Sequence, residues 1–272
     1  KNVNTMSPML TLIAIYEITG DENYGQLCKQ WSQWVMEDMI RTGDGALQHM
    51  ITGDPNDGQI LIDTLFMTCL FLTKAGVVFN ESDYIEEAKK QFLIHIKYLY
   101  DTKTGLYYHG WDFNGMHNYG EVHWGRGNSW YTCGLVEFLD MVDIEKGLKQ
   151  YLLDTFISQV KTLKQYQSNK GLWHTILDDP TSYLETSASA AFGYGILKGI
   201  RRGFLDNSYL DTGLKALNGV ISQIDKDGVV QGVSYGTPVG NDEQFYKDIP
   251  VCPMTYGQAL TILLLVEALE IV

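Results

Sequence analysis

The pattern Gly105-Leu-Tyr-Tyr-His109, a glycine followed by apolar residues and a histidine, recurs along the chain. It returns with small changes in Gly45-Ala-Leu-Gln-His49, Gly171-Leu-Trp-His174 and Gly228-Val-Val-Gln231. The intervals between successive glycines are 60, 66 and 57 residues (105−45, 171−105 and 228−171). A period of about 60 residues fits two helices of about 20 residues each and two connections. We therefore interpret the chain as a series of helical hairpins.

Apolar residues recur at helical spacing through most of the chain, as in Leu27, Trp31 and Val35. The alternation typical of strands is scarce. The pattern predicts helices near residues 6–18, 22–41, 60–74, 82–100, 127–142, 144–166, 182–202, 206–224 and 253–271.

Repeated hairpins bury their apolar faces in an open superhelix or in a closed ring of inner and outer helices. One loop of each pair is long and aromatic, which is typical of the mouth of a central cleft and favours the ring. The sequence therefore predicts an all-α toroid that forms a single domain over residues 1–272. Six hairpins need twelve helices, so we expect about three helices of the ring before Lys1.

The chain has a formal net charge of −13 at pH 7. This charge argues against a nucleic-acid partner, because phosphates are bound by clustered Lys and Arg side chains. An acidic ligand would need a locally placed cation. We find neither an apolar run long enough to span a bilayer nor a secretory signal, so no membrane partner is expected and a cytoplasmic location is favoured.

The histidines His49, His109 and His174 occupy equivalent positions of the repeat, with tryptophans close by in the sequence. Aromatic rings stack on the C–H faces of sugars, and polar side chains bind the hydroxyl groups. A purely structural role is the alternative for any one histidine. Their shared loop position favours a sugar-binding site.

Asp63 opens the most apolar predicted helix, Ile62-Asp-Thr-Leu-Phe-Met-Thr-Cys-Leu-Phe-Leu72. It could be a helix N-cap or a general acid. A helix N-terminus stabilises the carboxylate, whereas apolar surroundings favour the protonated form. A general acid requires the second effect to be the larger one.

The segment His123-Trp-Gly-Arg-Gly-Asn-Ser-Trp130 precedes a predicted helix, with Asn128 or Ser129 as its expected N-cap. Arg126 lies between two glycines and is flanked by Trp124 and Trp130. Its guanidinium group is suited to bidentate binding of a carboxylate, so we predict a contact with an acidic ligand.

Two other groups of polar residues give weaker signals. Thr186 and Ser187 lie in Glu185-Thr-Ser-Ala-Ser189, which lacks a nucleophile elbow, so we predict hydrogen bonds to a sugar. The possible metal ligands match no established spacing, and no metal is predicted. These are His117, Glu121 and His123.

Several segments together resemble glycoside hydrolase family 105, the unsaturated rhamnogalacturonyl hydrolases, which are related to the family 88 unsaturated glucuronyl hydrolases. The segments are Ile62-Asp-Thr-Leu-Phe-Met67, Tyr108-His-Gly-Trp-Asp112, Trp124-Gly-Arg-Gly-Asn-Ser-Trp130, Gly171-Leu-Trp-His-Thr-Ile-Leu-Asp-Asp-Pro180, Glu185-Thr-Ser-Ala-Ser-Ala190 and Pro253-Met-Thr-Tyr-Gly-Gln-Ala-Leu260. They cover nearly the whole chain. As a set they are specific.

The resemblance implies an (α/α)₆ barrel that needs no cofactor. It implies that Asp63 is the acid/base, that His109 and Arg126 contact a uronate, and that Trp124 and Trp130 shape the sugar subsite. The implied substrate is a small pectin-derived (rhamnogalacturonan) oligosaccharide with a terminal C4=C5 unsaturated galacturonyl residue, whose aglycone is left open. In one respect the chain departs from the family, because Asn2-Val-Asn-Thr5 holds no carboxylate where a second acidic residue is expected.

Two other functions fit the same features. Sugar 2-epimerases use a similar helical toroid with paired histidines as acid and base, and His109 and His174 could take those roles. A glycan-binding protein without activity is the second alternative. Asp63 discriminates between the enzymes, because its substitution should abolish a hydrolase and matter less to an epimerase.

Overall fold

A computed structural model describes residues 1–49 and 57–271. Helices dominate these two ranges, and the predicted all-α class is confirmed. The α-helices are α1 (Val3–Thr19), α2 (Glu22–Glu37), α3 (Leu70–Phe79), α4 (Ser82–Leu99), α5 (Gly125–Met141), α6 (Lys146–Tyr166), α7 (Thr186–Arg201), α8 (Leu210–Ile221), α9 (Glu243–Lys247) and α10 (Thr255–Leu269). A π-helical segment, Leu65–Cys69, leads into α3, and short 3₁₀ turns cover Gly43–Gly45 and Asn207–Tyr209. Closure into a ring stays a prediction.

Short antiparallel strands interrupt two of the predicted helices. Strand β1 (Gln59–Leu61) pairs with β2 (Gly110–Asp112), and β3 (Trp173–His174) pairs with β4 (Leu184–Glu185). The helices predicted over 60–74 and 182–202 therefore begin too early. The backbone groups of β1 and β4 bond to a distant strand and are not available to a helix.

The four glycines of the repeat share one backbone conformation. Gly45, Gly105, Gly171 and Gly228 have φ values of 75°, 78°, 80° and 81°. In each turn the residue three or four positions before the glycine donates its N–H to the carbonyl of the residue directly after the glycine, at 2.9 to 3.0 Å. Left-handed φ is costly for residues with a Cβ atom, which explains why glycine recurs there. The predicted repeat is confirmed.

The first helix begins at Val3, three residues before its predicted start. The Asn2 side chain accepts the Thr5 N–H at 2.9 Å, and the Thr5 hydroxyl accepts the Asn2 N–H at 2.9 Å. This reciprocal capping box satisfies two backbone donors that the helix itself leaves unpaired. The segment without a carboxylate, Asn2-Val-Asn-Thr5, is therefore a helix start.

The chain divides into two compact units, and the predicted single domain stays a prediction. Unit 1 comprises Lys1–Leu99, Gly110–Asn118 and Glu137–Asp143. One of its core clusters joins apolar side chains of α1, α2 and α3. The buried members are Val3, Met6, Met9, Ile13, Cys28, Val35, Met39, Leu47, Phe71, Leu72 and Ala75.

Unit 2 comprises Tyr100–His109, Tyr119–Val136 and Ile144–Val272. Helix α7 is its central element and packs against both α8 and α10. A small residue allows this close packing, since a Cβ at Gly193 would lie 3.0 Å from the Ala216 Cβ of α8 and 3.1 Å from a Leu264 methyl group of α10. Arg201 and Glu267 form two short contacts, of 2.6 and 2.8 Å, that tie α7 to α10.

The cysteines are free thiols, as the absence of a disulfide pattern predicts. Cys28, Cys69 and Cys133 are buried and Cys252 is half-buried. Burial raises the pKa of the Cys28 thiol to about 11, which suits a structural rather than a reactive cysteine. Across residues 1–49 and 57–271, no helix has the length and apolar character needed to cross a membrane.

Candidate active site

Asp63 lies in unit 1, two residues after the end of β1. The residue is half-buried and its Oδ2 atom is completely buried, as are Ile62, Thr64 and Leu65 around it. The π-helical segment Leu65–Cys69 begins two residues further on. Such segments are rare and are frequently found at functional sites. Asp63 therefore brings one carboxyl group to the edge of a buried stretch, next to irregular helical geometry.

His49 and Asp63 are predicted site residues that the structure brings together. The Nδ1 atom of His49 lies 3.4 Å from the Thr64 hydroxyl, next to Asp63 in the chain. The His49 N–H donates to the Gln59 carbonyl of β1 at 2.8 Å, which fixes the loop against the strand. The His49 side chain is buried. This arrangement places a ring nitrogen beside the turn that presents Asp63.

His95 is a second histidine of this neighbourhood, and the sequence analysis missed it. It is completely buried on α4, and its Nδ1–H donates to the Gln91 carbonyl at 2.8 Å. Burial lowers the pKa of His95 to about 4, while the Asp63 charge acts in the opposite direction. His95 is therefore neutral near pH 7. The sequence signal that could have identified His95 is a histidine among the apolar residues of a predicted helix.

Trp111 lies on β2, opposite Ile60 of β1 in the same unit. Its ring packs against Tyr98 and Phe113, with centroids 5.2 and 6.3 Å away. Within the described part of the chain, its buried indole N–H has no hydrogen-bond partner. A half-buried tryptophan with an available donor suits sugar binding.

His109, Trp124 and Tyr246 form a cluster in unit 2. The His109 ring centroid lies 4.2 Å from that of Trp124 and 5.7 Å from that of Tyr246. The Tyr246 hydroxyl lies 2.8 Å from His109 Nδ1. All three side chains are at most 3% exposed. The predicted association of His109 with Trp124 is observed, whereas no signal in the sequence pointed to Tyr246.

Arg126 is buried, and its guanidinium group lies between the rings of Trp124 and Tyr256, 4.5 and 4.8 Å from their centroids. It donates to the Ser234 carbonyl and hydroxyl. It also donates hydrogen bonds to the Tyr235 carbonyl and the Thr237 hydroxyl, each at 3.0 Å. The guanidinium thus holds the segment 234–237 in place. Its predicted contact with a carboxylate ligand stays a prediction.

Glu185 is completely buried at the start of α7. Its Oε1 accepts the Ser187 hydroxyl at 2.8 Å and the Ser234 N–H at 2.9 Å, and its Oε2 accepts the Ala188 N–H at 2.6 Å. Arg126 Nη1 lies 3.7 Å from Oε1. Glu185 was predicted to lie inside the helix over 182–202 and had no predicted role, whereas in the structure it is the N-cap of α7.

Thr186 and Ser187 are predicted to bind sugar hydroxyls. Both side chains are completely buried in the first turn of α7, and the Ser187 hydroxyl donates to Glu185. The Thr186 N–H donates to the Gly232 carbonyl at 2.8 Å. Direct contact with a sugar would require this turn to change, so their sugar-binding role stays a prediction.

Helix α5 begins at Gly125, so the predicted N-cap role of Asn128 and Ser129 is wrong. Asn128 instead lies in the first turns, where its side chain accepts the Tyr107 N–H and donates to the Tyr107 carbonyl, at 2.7 and 2.8 Å. The Asn128 amide thus bonds to both backbone groups of Tyr107, as a neighbouring strand would, and fixes the loop that carries His109. Trp130 is buried on α5, one turn after Arg126.

His123 is held by two carboxylates and not by a metal-type cluster. Its Nδ1 lies 2.8 Å from Asp178 and its Nε2 3.5 Å from Asp101. The ring stacks on Tyr108, with centroids 4.9 Å apart. In the described ranges no group of three His, Cys, Asp or Glu side chains could hold a metal ion.

Comparison with known proteins gives a consistent result. A model of Glycosyl Hydrolase Family 88 matches residues 1–272. Unsaturated rhamnogalacturonyl hydrolase YesR of Bacillus subtilis (strain 168) is 32% identical over 272 residues, which cover 99% of this chain and 77% of that protein.

Solved structures agree with the sequence relatives. A possible member of the GH105 family from Klebsiella pneumoniae subsp. pneumoniae MGH 78578 is 44% identical, with a TM-score of 0.97, and the match covers 99% of this chain and 71% of that one. A family 105 glycoside hydrolase of C. acetobutylicum ATCC 824 is 25% identical, with a TM-score of 0.89 and coverage of 100% and 80%. The fold and its relatives define the chain as a glycoside hydrolase, which confirms the predicted enzyme class. It belongs to Glycosyl Hydrolase Family 88, and the resemblance to families 105 and 88 is confirmed.

Proposed function

We propose that this chain releases an unsaturated, C4=C5 galacturonyl residue from the end of small rhamnogalacturonan-derived oligosaccharides, with Asp63 as the acid/base. The observation that carries the proposal is the setting of Asp63, a half-buried residue with one buried carboxyl oxygen, on an otherwise buried stretch beside a π-helical turn. The substrate class is supported by the name of the relative from Bacillus subtilis.

The reaction begins when the Asp63 carboxyl group donates its proton to C4 of the enol ether. The electrons of the double bond form the new C4–H bond, and the positive charge at C5 is shared with the ring oxygen. Water then adds to C5 and gives a proton back to the Asp63 carboxylate. The resulting hemiketal opens to a ketone, and the hemiacetal left at C1 collapses to an aldehyde and releases the second sugar. One carboxyl group therefore serves first as acid and then as base.

Substrate binding is proposed for both units. In unit 1, His49 lies beside the turn of Asp63 and can donate to or accept from a sugar hydroxyl. In unit 2, His109 and Trp124 offer a ring nitrogen and an indole face. Arg126 adds a positive charge, which an acidic protein needs in order to bind a uronate. Trp130, Thr186 and Ser187 remain candidates for sugar contacts in unit 2.

The test follows the ultraviolet absorbance of the conjugated C4=C5 group during incubation with unsaturated galacturonyl-rhamnose. Hydration removes this chromophore, so the intact protein should bleach it and Asp63→Asn should not. Asp83→Asn is the matched control, because Asp83 is an exposed carboxylate in the first turn of α4. Circular dichroism establishes that each variant is folded.

Each alternative result overturns a specific part of the proposal. Bleaching by Asp63→Asn at the normal rate would remove Asp63 from the chemistry. Sugar epimerisation without bleaching would favour a reaction based on His109 and His174. Calorimetric binding of the disaccharide without any turnover would indicate a glycan-binding protein.

A further inference from the structure

Two hydrogen-bonding contacts of the Tyr246 hydroxyl bear on the direction of its proton. Its oxygen lies 2.8 Å from His109 Nδ1 and accepts the Gly240 N–H at 3.1 Å. A backbone N–H can only donate, so the phenol oxygen acts as the acceptor in that contact. The hydroxyl proton can point at Nδ1, which lies within hydrogen-bonding distance of the phenol oxygen.

The direction of this hydrogen bond decides the tautomer of His109. A neutral imidazole has one N–H donor and one acceptor nitrogen. If Nδ1 accepts the Tyr246 proton, the ring proton is on Nε2. The Nε2 atom is then a hydrogen-bond donor, which is the property needed to bind a carboxylate or hydroxyl oxygen.

Tyr246 is itself held firmly by the segment that carries it. Asp242 caps α9 by accepting the Phe245 N–H at 2.8 Å. At the other end of the helix, Lys247 forms an ion pair with Asp179. The Tyr183 hydroxyl donates to the Tyr246 carbonyl at 3.4 Å. These three contacts fix the backbone of the segment that carries Tyr246.

We propose that Tyr246 is a positioning residue that keeps His109 in the Nε2–H tautomer, so that Nε2 donates a hydrogen bond to an oxygen of the bound uronyl sugar. The second half of this inference rests on the proposed function, in which His109 contacts the substrate. The first half concerns the free protein alone. The two halves can therefore be tested separately.

The tautomer is measured by NMR of protein labelled with ¹⁵N in its histidine rings, above the pH at which the rings are charged. The chain has 6 histidines, and the His109 signals are assigned from their loss in His109→Gln. In the wild type, Nδ1 should resonate as an unprotonated acceptor and Nε2 as an N–H. In Tyr246→Phe the hydroxyl is lost while the ring remains, and the His109 signals should move towards a mixture of tautomers.

Kinetics with unsaturated galacturonyl-rhamnose test the consequence for substrate binding. Tyr246→Phe should lower kcat/KM about 5- to 10-fold, mainly through KM, because one orienting hydrogen bond is lost. Tyr209→Phe is the matched control. It removes a phenol hydroxyl of unit 2 that lies in the 3₁₀ turn Asn207–Tyr209, outside the segments that hold His109 and Tyr246, and both the His109 signals and KM should change little.

A wild-type spectrum with the proton on Nδ1 of His109 would overturn the tautomer assignment. Unchanged His109 signals in Tyr246→Phe would overturn the positioning role. If the tautomer is as proposed but His109→Gln binds and converts the substrate normally, the substrate contact is wrong and the tautomer assignment stands. Loss of turnover in every variant including the wild type would count against the proposed function alone, since the NMR result does not depend on it.

Discussion

Asp63 in unit 1 and Glu185 in unit 2 are carboxylates that both follow a short strand and precede a helical segment. Asp63 is partly exposed and leads into a π-helical turn. Glu185 is 0% exposed and caps α7. Its oxygens accept two backbone N–H groups and one serine hydroxyl, and a guanidinium group lies 3.7 Å away.

The contrast separates two uses of the same chemical group. A carboxylate that is surrounded by donors holds a helix start and a neighbouring segment together. A carboxyl group at the edge of a buried stretch can exchange a proton with a substrate. The position of an acidic residue at the start of a helix therefore does not reveal its use, whereas its exposure and its partners do.

The largest effect is expected for Asp63→Asn, which should lower kcat by about 10³-fold, or about 4 kcal/mol of activation free energy. The free energy of unfolding should change by less than about 1 kcal/mol, because the side chain is partly exposed and the amide has the same shape. The bleaching assay and urea denaturation measure the two quantities. A loss of stability as large as the loss of activity would break the comparison, since Asp63 would then be structural.

The second largest effect is expected for Glu185→Gln, and it concerns the stability of the fold. The amide loses at least one acceptor site and leaves Arg126 without a nearby negative charge, so the free energy of unfolding should fall by about 3 kcal/mol. Urea denaturation measures this change. The control Glu270→Gln alters an exposed glutamate of the same unit and should stay within about 0.5 kcal/mol. Normal stability combined with lost activity would show that Glu185 takes part in the chemistry.

Local sequence signals predicted most of the helices but not the strands between them. The recurring glycines and the 3.6-residue spacing of apolar side chains are local properties, and the glycine turns match them closely. The pairing of β1 with β2 joins residues about 50 positions apart, as in Ile60 with Trp111. Nothing within either segment carries that information, so the start of the helix after β1 was placed too early.

The candidate site shows the same limit. Asp63, His49 and His109 could be selected by residue type and position in the repeat. Tyr246 contacts His109 across 137 positions and lies on a helix of five residues that has no periodic pattern. Arg126 could be selected as an unusual cation, but its hydrogen bonds to the segment 234–237 depend on tertiary structure alone.

The third effect is expected for alanine substitutions of two glycines that occupy equivalent turns, one in each unit. Gly45 and Gly171 have similar positive φ, so alanine is strained at both, at a cost of about 1 kcal/mol. A Cβ at Gly45 would meet the flexible end of Lys90 at 2.8 Å, whereas a Cβ at Gly171 would lie 2.1 Å from the backbone oxygen of Lys215. Gly171→Ala should therefore lower the unfolding free energy by about 3 kcal/mol and Gly45→Ala by about 1 kcal/mol. Equal losses in thermal or urea unfolding would show that the unit 2 turn relaxes as easily as the unit 1 turn.

The smallest effect concerns Asp178, a carboxylate whose exposure lies closer to that of Asp63 but whose partner is structural. Burial acts to raise the pKa of Asp178. The hydrogen bond from His123 and the positive charge of His123 together outweigh burial, so the pKa of Asp178 is lowered. A lowered pKa in the folded state adds stability above the unfolded value of about 3.9, and this stability is lost as the pH falls through the folded value.

Asp178→Asn should therefore reduce stability at about pH 6 and have a smaller effect at about pH 3. The difference should stay below about 1 kcal/mol, because the side chain is 38% exposed and solvent screens the pair. Urea unfolding at both pH values measures it, and Asp227→Asn, an exposed aspartate of the same unit, controls for the change in net charge. A loss of stability that is the same at both pH values would mean that Asp178 acts through packing and not through its charge. Partial exposure would then be compatible with a purely structural carboxylate, and exposure alone could no longer set Asp63 apart from Glu185.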